Sequence, residues 1–453
     1  MLVAALLCVR SAAPSFTHGW DKVGDMLALD TGSTLGRYSN LPSSDAHWEW
    51  LANHYALIAL SDFEDLLGDK PWNCTGESAR ALAARKLKSF NPKIKTLWYQ
   101  PASNLRHCRD APLHAHPEWW LRDDRGNLMP PGAEQFCEPM TSKCRLLADW
   151  RVPAAREWWR NQPEKEVLRG DASTLIDGIM ADGTGYHNEN PANISNASYA
   201  EHFAAKMTNL REAQEKYSAL TGGEVWGNPL MQYESIGLVP PGSPQVDYNV
   251  SLSHYAGAFD EMFGSYSTLE GGMASTTGEW DPAAMEATFY AIRNASVNDR
   301  KTVVIHATPG PAVPPFGAYI NGSAIRIPTW AGPNPGPRSL SEAKLAMSTR
   351  LVESLAPFLI VAAPTVFFGY GWWYAAESGY TPCDDDPSSC LAPTGFFPEY
   401  EQYLGPPKAA LAAQRGTVWT REFAGVSQRA LQIVHRVHTP CCTLTRKGCD
   451  VLP

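Results

Sequence analysis

Four acidic residues, Asp30, Asp62, Asp182 and Glu270, each close a short apolar segment. A carboxylate at such a position can transfer a proton, attack an electrophilic carbon or hold a hydroxyl. Asp182 and Glu270 stand out because each is followed at once by glycine. Asp182 ends the run Thr174–Asp182, in which Ile176, Gly178, Met180 and Asp182 share one face if the chain alternates as a strand. Glu270 ends Tyr266–Glu270 and shares a face with Tyr266 and Thr268. Two carboxylates flanking one bond are the equipment of glycoside hydrolysis. In that chemistry Asp182 is expected to be the ionised partner, nucleophile or base, and Glu270 the proton donor. The plainer alternatives are that Asp182 opens a turn or caps a helix, and that Glu270 is a solvated or ion-paired side chain.

Other residues at segment ends suit a hydroxyl-rich ligand. Asp30, Tyr99, Gln100 and His306 close the first, third, third and seventh segments, and Tyr370 follows the eighth. Trp119, Trp372 and Trp373 sit in loops beside polar residues, where an indole face can stack on a sugar ring. These are the expected substrate-binding groups, with structural packing as the competing role for each tryptophan. No His-Glu-X-X-His, phosphate loop or Gly-X-Ser-X-Gly occurs, so no cofactor or metal is expected. A cysteine–histidine group near the end of the chain, His435, His438, Cys441 and Cys442, fits a tail disulfide better than a metal site.

The elements that must carry these residues alternate. Strands are expected at 25–30, 55–62, 94–100, 174–182, 225–228, 266–270 and 302–307, with the eighth formed by Phe358–Ala363 and Thr365–Phe368. Between them lie apolar stripes at helical spacing: Trp48, Leu51, Ala52 and Tyr55; Ala79, Ala83, Leu87 and Phe90; Tyr199, Phe203, Met207 and Leu210; and Met285, Phe289 and Ile292. Helices are also expected from about Pro153 and over 341–355, and Asp281-Pro282 is a strong helix start. Eight strands alternating with helices predict an α/β fold, the (β/α)8 TIM barrel with long loop insertions. A doubly wound open sheet is the runner-up, but no glycine-rich loop follows an early strand.

The chain has 453 residues and a net charge of −9 without any basic run, which argues against a nucleic-acid partner. It carries 16 Trp and 17 Tyr, whose apolar faces and polar edges suit sugar rings, with structural packing as an equal explanation for many of the tryptophans. Residues 1–13 read as a signal peptide lacking its basic start, and no segment is long enough to span a bilayer. Sequons at Asn73, Asn193, Asn196, Asn249, Asn294 and Asn321, with closely spaced cysteines such as Cys137/Cys144 and Cys383/Cys390, predict an extracellular, disulfide-bonded glycoprotein.

Five motifs occur in order: Asn53–Ala59, Asn91–Gln100, His116–Leu121, Asp149–Trp159 and Ile176–Gly183. With Pro398–Tyr400 and Trp419–Phe423 they resemble the glycosyl-hydrolase-like TIM-barrel family, a group of largely unassigned specificity. The resemblance covers roughly residues 20–423, which delimit the expected catalytic domain, and leaves 424–453 as a cysteine-rich tail. It implies a barrel acting on a carbohydrate, supports Asp182 directly and supports Glu270 only by position. Two other readings stay open: a carbohydrate-binding barrel without catalysis, and another barrel hydrolase such as a phosphodiesterase.

Overall fold

The computed structural model describes residues 16–30, 45–60, 79–102, 115–128, 147–167, 175–182, 195–221, 223–227, 257–263, 282–307, 319–320, 323–324, 340–370, 397–410, 412–415, 418–425 and 435–436. Eight parallel strands form one sheet in sequence order: β1 (Ala28–Asp30), β2 (Leu57–Leu60), β3 (Lys95–Pro101), β4 (Gly178–Asp182), β5 (Glu224–Gly227), β6 (Gly257–Phe263), β7 (Thr302–Ala307) and β8 (Val366–Tyr370). A parallel bridge between Leu27 and Phe368 joins the first strand's entry to the last strand, so the sheet closes on itself. Helices α1 (Asp45–His54), α2 (Ala79–Phe90), α3 (Pro153–Val167), α4 (Asn196–Thr221), α5 (Pro282–Arg293) and α6 (Leu340–Val361) fall between strands. This is the (β/α)8 barrel that the alternating pattern predicts.

Alternation along the strands sorts side chains into two cores. Ala28, Leu57, Ala59, Leu97, Met180, Trp226, Val304 and Phe367 form one cluster, which fills the barrel. Ile58, Leu60, Trp98, Ile179, Ala181, Val225, Val303, Ile305, Val366 and Phe368 belong to the other, which packs against the helices. Gly178 shows how tight the inner packing is. A Cβ there would lie 2.4 Å from the Glu224 carbonyl oxygen and 2.9 Å from Leu97 Cδ2.

The strands' N-terminal end is sealed. Phe16 is buried with the inner cluster, its ring edge-on to Trp226 at 5.1 Å, with Lys95 Nζ 5.2 Å above it. Glu224 lies buried at the same end and accepts hydrogen bonds from Trp226 Nε1 (2.7 Å) and Thr302 Oγ1 (3.0 Å). On the other face, Asp177 collects the Thr96 amide and the ammonium groups of Lys88 (2.7 Å) and Lys95 (3.1 Å), tying α2, β3 and the lead-in to β4 together.

Two expected elements differ. Strand six is Gly257–Phe263 rather than Tyr266–Glu270, which lies outside the described residues. Adjacent Asp260 and Glu261 interrupt the apolar pattern of the true strand, while Tyr266–Glu270 carries the more strand-like alternation. The run Phe358–Val361 belongs to α6, not to strand eight, which begins at Val366. An apolar run buried on all sides carries no period with which to separate helix from strand.

Beyond the barrel, β9 (Ala413–Arg415), β10 (Val418–Thr420) and β11 (His435–Arg436) make a small antiparallel sheet, so part of the expected tail pairs with the segment before it. Arg421, just after β10, is only 4% exposed. Its guanidinium donates to the carbonyls of Ile360 (2.8 Å) and Leu359 (3.4 Å) at the end of α6, and to that of Ala410 (3.1 Å). A cation there satisfies open carbonyls and complements the negative end of the helix dipole. Burial pushes its pKa down to about 10, which still leaves it charged at neutral pH. Arg421→Ala is expected to cost about 2–4 kcal/mol of stability in urea unfolding, and Arg421→Lys about half of that, because lysine keeps the charge without the fork.

Candidate active site at the barrel mouth

The open end of the barrel is built by the last inner position of each strand. On β4, Asp182 occupies the alternation position of Gly178 and Met180 and pairs in register with Pro101. On β1, Asp30 follows Ala28 by two residues and pairs with Ala59. Tyr99 on β3 is half-buried against the inner cluster. His306 on β7 follows Val304 by two residues, is buried, and pairs with Gly369 of β8. A Cβ at Gly369 would lie 3.1 Å from His306 Cδ2, so the imidazole occupies space that a larger residue would contest. Asp30, Tyr99, Asp182 and His306 therefore occupy inner-phase positions towards the C-terminal ends of four different strands. Active sites of this architecture form at that end.

Other expected site residues go elsewhere. Gln100 is one position out of phase with Tyr99. It is buried under the helices and its Nε2 donates to the Trp159 carbonyl at 2.8 Å, so it binds α3 to β3. Tyr370 is one position out of phase with Gly369. It stacks on Phe368 (6.1 Å) and meets Phe397 edge-on (5.9 Å), within an outer aromatic column running from Phe358 to Tyr400. Trp119 lies in the 3-10 turn Pro117–Trp119, stacked on His116 (4.1 Å, 9°) and tilted against Trp158 of α3. Its ring packs with the helical layer. Glu270, Trp372, Trp373, Asp62 and all ten cysteines lie outside the described residues. Among the described residues no group of three or more His, Cys, Asp or Glu side chains is placed to hold a metal ion, and no helix is long and apolar enough to cross a membrane.

Sequence reasoning missed the acidic pair Asp260-Glu261, which lies inside β6. Between Asp260 and Phe263 the register against β7 slips by one residue. Asp260 pairs with Ile305 and Phe263 with Ala307, so two residues, Glu261 and Met262, stand opposite the single residue His306. The available signal was the apolar pair flanking the acids, Phe259 and Met262-Phe263, which reads as a strand once the bulge is allowed for.

No family model matches the chain, and no curated protein matches it. Among solved structures it is similar to diverse glycoside hydrolases at low identity. The glycoside hydrolase domain of PelA from Pseudomonas aeruginosa shares 9% identity, with 76% of this chain and 96% of that one covered and a TM-score of 0.38. A β-galactosidase from Marinomonas ef1 shares 10%, covering 81% of this chain and 58% of that one at a TM-score of 0.48. A GH18 chitinase from Cycas revoluta shares 11%, covering 82% and 98% at 0.41. The assignment of roles to residues rests on the barrel's own geometry.

The Asp149–Trp159 motif links α3 to β3 through the Trp159 carbonyl and to α4 through Asp149. Asp149 receives Arg151 Nη2 at 2.8 Å and Nε at 2.9 Å, and lies 3.5 Å from Nδ1 of the buried His202 on α4. Burial acts to raise its pKa, but the hydrogen bonds from His202 and Arg151 together outweigh it and hold the carboxyl well below the usual carboxylate range. A folded-state pKa below the unfolded value of about 3.9 adds stability at neutral pH that is lost as pH falls through and below about 4. Asp149→Asn should thus be less stable than wild type at pH 7, with a shallower loss between pH 4 and pH 2. Urea midpoints across that range check both.

Proposed function

We propose that the protein is a glycoside hydrolase acting on an oligo- or polysaccharide through two carboxylates, with Asp182 as one of them. The observation that supports this reading is the strand register, which sets Asp30, Tyr99, Asp182 and His306 at inner-phase positions towards the C-terminal ends of β1, β3, β4 and β7. Carboxylates, a phenol and an imidazole are the hydroxyl-binding and proton-transferring groups that a sugar requires. Asp182 serves as the ionised partner, attacking the anomeric carbon or activating water. Asp30, Tyr99 and His306 hold sugar hydroxyls, while Trp372 and Trp373, next along the chain from β8, supply stacking faces.

A secretory route for the chain belongs to the same proposal. Asn294 is exposed in the π-turn Asn294–Asn298 that ends α5, where its Oδ1 accepts a hydrogen bond from Asn298 Nδ2 at 2.9 Å. Ser296 of that sequon is buried and donates to the Ile292 carbonyl at 2.7 Å, so the glycan must be added before this turn folds. Treating protein from a eukaryotic secretory host with an N-glycanase should lower its mass, and Asn294→Gln should remove one step of that shift. An unchanged mass for the wild type removes the secretory part of the reading.

The catalytic part is tested by incubating the chain with a panel of polysaccharides and following new reducing ends. Asp182→Asn keeps the shape of the side chain and removes its ionisation. It is expected to cut turnover by a factor of about 100 or more while leaving the urea midpoint and oligosaccharide binding near wild type. Trp372→Ala or Trp373→Ala should weaken binding more than stability. A wild-type chain that releases nothing from any member of the panel overturns the hydrolase reading.

A further inference from the structure

The glycosidase reading needs a second carboxylate, and the strand expected to deliver it at Glu270 is not strand six. The true strand, Gly257–Phe263, has its own acidic residues at the point where its pairing with β7 becomes irregular. Gly257 stands opposite Thr302 and Phe259 opposite Val304, and these two β7 residues hold the floor and the middle of the inner face. The next inner step on β7 is His306, at the mouth. Regular pairing would set one β6 residue against it. The slip between Asp260 and Phe263 sets two there, Glu261 and Met262. Bulges of this kind are rare between parallel strands and gather beside active sites, where they re-aim a side chain.

The spacing also fits. β6 is two strands from β4 in the sheet, with β5 between them. Neighbouring strands lie about 4.8 Å apart, so residues on β4 and β6 at one level are separated by roughly 10 Å at the backbone, a spacing compatible with the roughly 5–9.5 Å between the two carboxyl groups of glycosidases. Met262, the other residue in the bulge, has no group that can transfer a proton.

We infer that Glu261, brought level with His306 by the bulge on β6, is the second carboxylate of the mouth and the proton donor that partners Asp182. The inference rests on the glycosidase reading for its role but not for its placement. In the reaction the Glu261 carboxylic acid gives its proton to the glycosidic oxygen, which leaves with the electron pair of the broken C–O bond. If Asp182 acts as base, it takes a proton from water as the water oxygen bonds to the anomeric carbon. If Asp182 attacks directly, water later displaces it and returns its proton to the Glu261 carboxylate. Either route consumes one water and yields two hydroxyl-terminated products. Glu261 must start protonated, which a neighbouring negative charge from Asp182 favours.

The test compares Glu261→Gln, Glu270→Gln and Asp182→Asn with wild type on the polysaccharide panel, each variant first shown to keep the wild-type urea midpoint. Loss of turnover by a factor of about 100 or more in Glu261→Gln and Asp182→Asn, with Glu270→Gln near wild type, supports the assignment. Full turnover in Glu261→Gln beside an inactive Asp182→Asn overturns it and leaves the glycosidase reading standing. Should the wild type hydrolyse nothing, the glycosidase reading falls, and placement is decided by NMR titration of the His306 imidazole, identified by its loss in His306→Gln. Asp30, Tyr99 and Asp182, the other ionisable groups among the described residues at these strand ends, are unchanged between wild type and Glu261→Gln. A change in the His306 imidazole resonances or in its pKa in that variant upholds the placement, and an imidazole unchanged in both overturns it.

Discussion

The single parallel bridge from Leu27 to Phe368 decides the chemistry of every other strand residue. An open eight-stranded sheet would have two equivalent faces, each covered by helices, and a polar residue at a strand end could lie on either. Closure makes the faces unequal. One becomes the wall of a narrow cylinder and the other the floor of the helical layer, and since side chains alternate, each strand position belongs to one or the other without choice. Both Leu27 and Phe368 belong to the outer core, so the bridge also fixes the phase of β1 against β8, with Ala28 inside and Gly369 beside it.

That phase separates groups that look alike in the chain. Asp177 and Asp182 lie five residues apart on the same segment, an odd separation, and so fall on opposite faces. Asp177 is consumed by Lys88, Lys95 and the Thr96 amide at the sealed end, and its role is architectural. Asp182 stands at the open end on the inner face. Tyr99 and Gln100 divide in the same way: the amide is spent on the Trp159 carbonyl, while the Tyr99 ring packs, half-buried, against the inner cluster. A buried amide or carboxylate left unpaired costs about 1–3 kcal/mol or more, so outward polar groups must find partners within the helical layer. Inner groups at the mouth can instead be met by water or by a hydroxyl-rich ligand.

This explains which parts of the molecule were legible in the sequence. Strand seven, Thr302–Ala307, is a short, largely apolar run that follows Arg300-Lys301 and is ended by Pro309-Gly310, and its expected and observed limits agree. The stripes on α1 and α4 were readable because one face of each meets solvent, so the helical period survives in the composition. The phase of an all-buried strand end was not readable. Gly369 and Tyr370, or Tyr99 and Gln100, exchange faces with a shift of one residue, and only the register of the closed sheet sets it. Strand six was missed for a related reason. A bulge breaks the period that reveals a strand, and it does so at the position where an acidic pair already lowers the apolar signal.

The sealed end accounts for the direction in which the site opens. Phe16 enters beneath Trp226, and the one carboxylate there, Glu224, is held by the Trp226 indole and the Thr302 hydroxyl. An aromatic plug of this size buries enough apolar surface to contribute about 1.5–3 kcal/mol, while it denies solvent and ligand any path through the floor. Acidic residues along the wall thereby acquire different work according to height. At the floor a carboxylate must be fully paired to be tolerated. At the rim a carboxylate can be balanced by solvent or by a ligand instead, and the register sets Asp182 at the inner-phase position that ends β4.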